Sequence, residues 1–172
     1  PDFHSADVTI SACYAPPKGW QRHTIVKAEF TPMLSPALAE TIGGVHKPAD
    51  LLKLPIIDPA DPWWELWFTA AGLPEPDLSH SPSSRMGSQA LEANRAIAGQ
   101  GVAILTPYFY RNAVETGQLI QPFDLVAQIP DEAWSLSYPK INKNNRKVRL
   151  FRSWVFSELV SDGIPLRSQP AA

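Results

Sequence analysis

The residues able to do chemistry are few and scattered. The four histidines stand at 4, 23, 46 and 80, and none has the spacing of a metal pair. Asp58 and Asp61 are close, but each precedes a proline, so they read as turn and cap residues and not as an acid/base pair. Cys13 lies in an apolar alternating segment and reads as a buried, inert thiol. There is no Gly-x-Ser-x-Gly elbow, no Gly-x-x-x-x-Gly-Lys phosphate loop and no Gly-x-Gly-x-x-Gly turn. Nothing here supports an enzyme, a resident cofactor or a metal. One group does carry binding chemistry. Ser88 opens a helix, Gly87 before it allows close backbone approach, and Arg85 lies just upstream. N–H groups at a helix start favour an anion by roughly 0.3–1 kcal/mol, up to about 2 when partly buried. Arg85 would add a bidentate contact to a carboxylate. A small carboxylate-bearing ligand suits this set. The plainer alternative is that Ser88 only caps its helix and Arg85 only faces water.

The elements that must position these residues belong to a globular chain of 172 residues, 44% apolar and 19% charged. That length buries roughly 70% of its unfolded surface, as one large domain or two small lobes. A net charge of −2 gives no case for nucleic-acid binding by this chain itself. A single cysteine excludes an internal disulfide framework and a Cys-rich zinc site. No run approaches the ~20 apolar residues of a membrane span, and no signal-peptide pattern opens the chain. A reducing, cytoplasmic setting is expected. Lys140, Lys143, Arg146, Lys147, Arg149 and Arg152 form the only charge cluster, where the last helix begins. Positive charge there opposes the helix dipole. A solvated face is the simplest reading, with a partner surface or ionic subunit contact as the alternative and nucleic acid a poor third.

Strands and helices alternate along the chain. Residues 6–14 read as a buried strand. Residues 23–35 read as extended and as two strands, because Pro32 cannot sit in a central ladder. Ser35-Pro36 starts a helix over 36–41, and 47–58 reads as a helical turn and a short strand. Asp61 caps a helix that stops at Gly72 before Pro74 and Pro76, and its Trp63, Trp64, Trp67 and Phe68 read as docking aromatics, with one tryptophan lining a ligand cleft as the alternative. Residues 88–98 read as a helix with Leu91, Asn94, Ile97 and Ala98 on one side. Strand 102–105 and helix 106–117 follow, then a strand at 132–139. The longest helix, 144–163, places Val148, Phe151, Val155 and Leu159 at a spacing of three to four. The tail 164–172 reads as disordered. The pattern is α/β, with parallel sheets sandwiched by helices.

Several of these stretches resemble one family in order. "AIAGQGVAI" (96–104) and "AVETGQLIQPF" (113–123) resemble the helix–strand–helix core of the effector-binding domain of LysR-type transcriptional regulators, in the branch of the glycine-cleavage activator and the β-lactamase regulator. "ADVTI", "FTPMLSPALA", "KPADLLKLPII", "WWELWFTAAGL" and "KVRLFRSWVFSEL" resemble its other elements in sequence. The resemblance covers residues 7 to about 160.

The resemblance implies an α/β, periplasmic-binding-protein-like (type 2) fold of two lobes with a ligand cleft at the hinge. It implies an N-terminally truncated domain, without the first strand and helix and without the DNA-binding domain. The expected lobes are 1–34 with 136–163, and 35–135. Strand 102–105 would end at the cleft, since ligands of open α/β sheets bind beyond the carboxyl ends of strands. The expected effector contacts are Ser11, Pro32, Arg85, Ser88, Thr106 and Trp134. The chain departs from the family where Ile10-Ser11-Ala12-Cys13 and Gly87-Ser88 stand. The implied function is ligand sensing in a transcription regulator, with self-association into a dimer or higher oligomer and with DNA bound only through the absent domain. The alternative is a solute-binding protein that delivers a small ligand to a transporter.

Overall fold

The computed structural model describes residues 5–12, 15–82 and 85–164. Cys13 and the tail beyond Ile164 lie outside these residues. Four strands stand in the hydrogen-bonded order β1-β4-β2-β3: β1 is Thr9–Ala12, β2 Trp20–Met33, β3 Ala103–Leu105 and β4 Ala127–Pro139. Among the described residues, five α-helices accompany them: α1 Pro36–Glu40, α2 Pro62–Ala70, α3 Gln89–Ile97, α4 Pro107–Glu115 and α5 Arg146–Ser161, with 3-10 turns at Pro48–Lys53 and Lys140–Asn142. The chain divides into two compact units, residues 1–28 with 128–172, and residues 29–127.

Two expectations about the strands are corrected. Residues 23–35 are not two strands, because β2 runs unbroken through Pro32, which stands opposite Ile104. Pro32 lies one residue before the strand's end, against a partner only three residues long, so the missing donor costs the ladder little. Nor do parallel sheets dominate. β1–β4 and β2–β3 are both antiparallel, and a parallel bridge joins Ile56 to Val102. Alternating hydrophobicity marks a strand without fixing its direction.

In the second unit, Met33, Ile57, Ala93, Ala96, Ala103, Leu105, Ala113 and Leu119 form a buried cluster. The helix caps follow the sequence closely. Ser35 Oγ accepts the Leu38 N–H at 3.2 Å, and Asp61 Oδ1 accepts that of Trp63 at 2.8 Å. α2 docks by its aromatics: Trp64, Trp67 and Phe68 are fully buried, Trp63 stacks on Phe30 at 4.5 Å, and Trp64 Nε1 donates to the Ile57 carbonyl at 3.2 Å. α3 departs from its expected face. It buries Glu92, Ala93 and Ala96 and leaves Leu91 half exposed, since small alanines let the helix approach closely. Gly99, at φ +74, ends α3. At Gly101 a Cβ would lie 2.8 Å from the Pro55 carbonyl oxygen and 2.9 Å from Ile57 Cγ1, so only glycine allows this strand to start so close to its neighbour.

In the first unit, α5 buries Val148, Val155 and Leu159, while Phe151 is exposed. Tyr138 of β4, fully buried, accepts from Arg152 Nη1 at 2.6 Å and shares a hydrogen bond of 2.9 Å with His23 Nε2. Arg152 and His23 thus share one buried hydroxyl. Phe156 meets the His23 ring edge-on at 5.3 Å.

Candidate functional site

β3 delivers Thr106 to the start of α4. It is the N-cap residue, 1% exposed, and Pro107 begins the helix behind it. Its own side chain makes no cap bond. Instead, the first residue of α3 reaches across. Gln89 Oε1 accepts the Thr106 N–H at 3.1 Å, and Gln89 Nε2 donates to Thr106 Oγ1 at 3.3 Å. One side-chain amide therefore ties the N-termini of α3 and α4 together, just beyond the carboxyl end of β3. That end of a strand is where α/β folds place ligands, and both helix dipoles point positive there.

Ser88 is the N-cap of α3 and makes no side-chain cap bond. Gly87 before it has φ +61, with open space where a Cβ would be. The Ser88 N–H donates to the Glu92 carboxylate. Glu92 is 4% exposed. Burial raises its pKa to about 7, helped by the negative charges of Asp61 and Asp58. Burial, and then Glu92, push the Tyr110 phenol up to about 12. An acid that is half neutral near pH 7 thus sits under the same helix start.

The expected contact residues fall out unevenly. Ser88 and Thr106 are joined through Gln89. Pro32 is buried in the same unit, beside β3. Arg85 is exposed three residues before α3's cap. Ser11 and Trp134 belong to the other unit. Ser11 stands opposite Ser135, and Ala12 opposite Trp134. Directly opposed residues share a face and successive ones alternate, so Ser11 and Trp134 point to opposite faces of their ladder. On the Ser11 face, Ser135 Oγ accepts from Arg22 Nε at 2.8 Å, and Arg22 lies 3.9 Å from Glu132. Gln89, Glu92, Arg22 and Ser135 were not singled out in the sequence. Only Gln89 carries a sequence signal, as a polar residue directly after an N-cap.

A family model described as the LysR substrate binding domain matches residues 4–159. This chain belongs to that family. Among curated relatives, the LysR domain is 30% identical to the uncharacterized HTH-type transcriptional regulator y4mQ of Sinorhizobium fredii over 132 residues, which are 74% of this chain and 42% of the relative. It is 26% identical to the glycine cleavage system transcriptional activator of Escherichia coli K12 over 132 residues, 76% of this chain and 42% of that one. The chain thus spans less than half the length of these two relatives. Its fold matches the AmpR effector binding domain of Citrobacter freundii with a TM-score of 0.74 at 24% identity, covering 90% of this chain and 75% of that one. The LysR domain therefore has the two-lobe, periplasmic-binding-protein-like fold of such effector domains. Among the described residues, no helix is long and apolar enough to cross a membrane.

Proposed function

We propose that this LysR domain is the ligand-sensing part of a cytoplasmic transcription regulator. It does no chemistry itself. A small effector binds, shifts a conformational equilibrium by its differential affinity, and so controls a DNA-binding domain elsewhere in the regulator. The same reading includes self-association of the regulator. Family membership and relatives named as transcription regulators support it. The observation that carries the site is the Gln89–Thr106 pairing, which gathers two helix N-termini at a strand end.

The effector we favour is a small carboxylate. Two positive dipole ends, the uncommitted Ser88 hydroxyl and Arg85 nearby suit an anion. Glu92 suits it when protonated and opposes it when ionised. Thr106 and Gln89 shape the floor of this site, and Pro32 sets the strand next to it.

The test is a thermal-shift screen of small mono- and dicarboxylates on the full-length regulator, followed by calorimetry on Ser88→Ala and Arg85→Ala. The reading expects at least one carboxylate to bind, and each variant to weaken it by roughly ten- to a hundredfold, the size of one charge-assisted contact. Binders that are all uncharged or cationic contradict it.

A further inference from the structure

The net charge of −2 averages over a segregated chain. Between Glu132 and Glu158 there is no acidic residue, while six of the 15 lysines and arginines fall there. One of them, Arg152, is committed to Tyr138. The others, Lys140, Lys143, Arg146, Lys147 and Arg149, are all exposed. Among the described residues, none of these five side chains forms an ion pair or a hydrogen bond. Another cation joins them from far along the chain. The Lys140 N–H donates to the Gly19 carbonyl at 2.9 Å, which sets the turn carrying exposed Lys18 against the same stretch. Short-range bonds fix the backbone that displays the set. The Lys143 N–H donates to the Lys140 carbonyl at 3.2 Å, the Asn145 N–H to the Asn142 carbonyl at 2.9 Å, and Asn145 Oδ1 accepts the Lys147 N–H at 2.9 Å. Like charges gathered at a helix start repel one another and oppose the α5 dipole. A solvated face needs no such segregation, and no carboxylate among the described residues offsets it by pairing.

We propose that the basic face formed by the start of α5, the turn before it and Lys18 binds the phosphate backbone of duplex DNA, so that the sensing domain adds contacts of its own to those of the DNA-binding domain. Charge complementarity selects this partner. All 17 acidic residues lie outside the stretch between Glu132 and Glu158 or at its ends, and they repel a diffuse anion. Duplex DNA carries one negative charge per ~1.7 Å of its axis, dense enough to engage several cations at once. Residues 140–149 hold no aromatic ring on which an unpaired base could stack. What they do hold, lysine, arginine, asparagine and the N–H groups of a helix start, are the groups that contact phosphate oxygens and read no sequence. The face therefore positions the domain on a duplex and leaves the choice of site to the rest of the regulator. Its place in the cell rests on the regulator proposed above, while the binding is measurable on this chain alone and is independent of the effector.

Fluorescence anisotropy of a labelled duplex of about 20 base pairs and arbitrary sequence, titrated with the 172-residue chain, tests it. At about 50 mM salt the chain should bind with a dissociation constant of about 10⁻⁴ M or tighter, the range of non-specific DNA binding. About three phosphate contacts give a log–log salt slope of about −3, or roughly sixtyfold weaker binding at about 200 mM. Lys143→Ala combined with Arg146→Ala removes two of those contacts. The slope should fall to about −1, and the affinity at low salt by roughly tenfold or more. The melting temperature of this double variant should stay level or rise, because charges that oppose the dipole are gone. Lys47→Ala removes an exposed cation from the other unit and should leave affinity and slope unchanged. A parent without measurable binding, a double variant with the parent's slope and affinity, an equal loss in Lys47→Ala, or tighter binding to poly-L-glutamate than to DNA overturns the proposal. The carboxylate screen decides the sensing function separately from all of these.

Discussion

Gln89 and Thr106 hold each other by two hydrogen bonds, 3.1 and 3.3 Å long, from the first residue of one helix to the cap residue of the next. Thr106 is almost wholly buried, so its N–H has no water to fall back on. Replacing Gln89 by Leu leaves that donor without its partner, at a cost of about 1–3 kcal/mol. Urea unfolding should show this as a lower midpoint with an unchanged slope. Gln89→Glu keeps an acceptor for the N–H and should recover part of the loss.

Glu92 makes the domain sensitive to alkali near neutrality. Its folded pKa of about 7 is raised from 4.5. The folded state therefore holds its proton where the unfolded state has released it. The stabilisation is fully present below about pH 4.5 and is lost as pH rises through about 7. At most it amounts to about 3 kcal/mol, since each tenfold gain in proton affinity on folding is worth about 1.4 kcal/mol. Melting temperatures should fall from pH 5 to pH 8 in the parent. Glu92→Gln, which is neutral throughout and of the same shape, should flatten that part of the profile.

His23 works in the opposite direction. Burial and then the Arg152 charge lower its pKa from 6.5. The unfolded chain thus takes up this proton first as pH falls. The contribution is present above pH 6.5 and is lost as pH drops through the folded value. A histidine NMR titration should place its midpoint below 6.5. Tyr138→Phe removes the shared hydroxyl from both His23 and Arg152, and should cost about 1–3 kcal/mol as measured by urea unfolding.

Trp64 tests the aromatic docking of α2. It is fully buried and donates to the Ile57 carbonyl. Trp64→Phe should cost about 1–3 kcal/mol, from the lost hydrogen bond and a small cavity, and Trp64→Ala about 3–5. The check is chemical denaturation followed by the remaining tryptophan fluorescence.

Much of this was legible in the sequence. Ser35-Pro36 and Asp61-Pro62 announce helix starts by local chemistry, and the structure shows both caps. Gly99 and Gly101 announce a stop and a close approach. The LysR family was legible because several weak motifs stand in the family's order. What was hidden depends on pairing across the chain. The direction of β2 and β4, and the opposite facing of Ser11 and Trp134, follow from register, which no local pattern contains. Glu92 was hidden because periodicity counts apolar residues, and a charged residue on a buried face looks like a solvent face out of phase.

On this reading the joined N-termini of α3 and α4 accept an anionic effector. The most direct measurement is isothermal titration of the best small carboxylate into parent and Gln89→Leu protein at pH 6 and pH 8. Binding to the parent should be tighter at pH 6, where Glu92 holds its proton, and should fall by roughly tenfold or more in Gln89→Leu, about the worth of two neutral hydrogen bonds. Equal affinity for both proteins at both pH values would place the effector elsewhere.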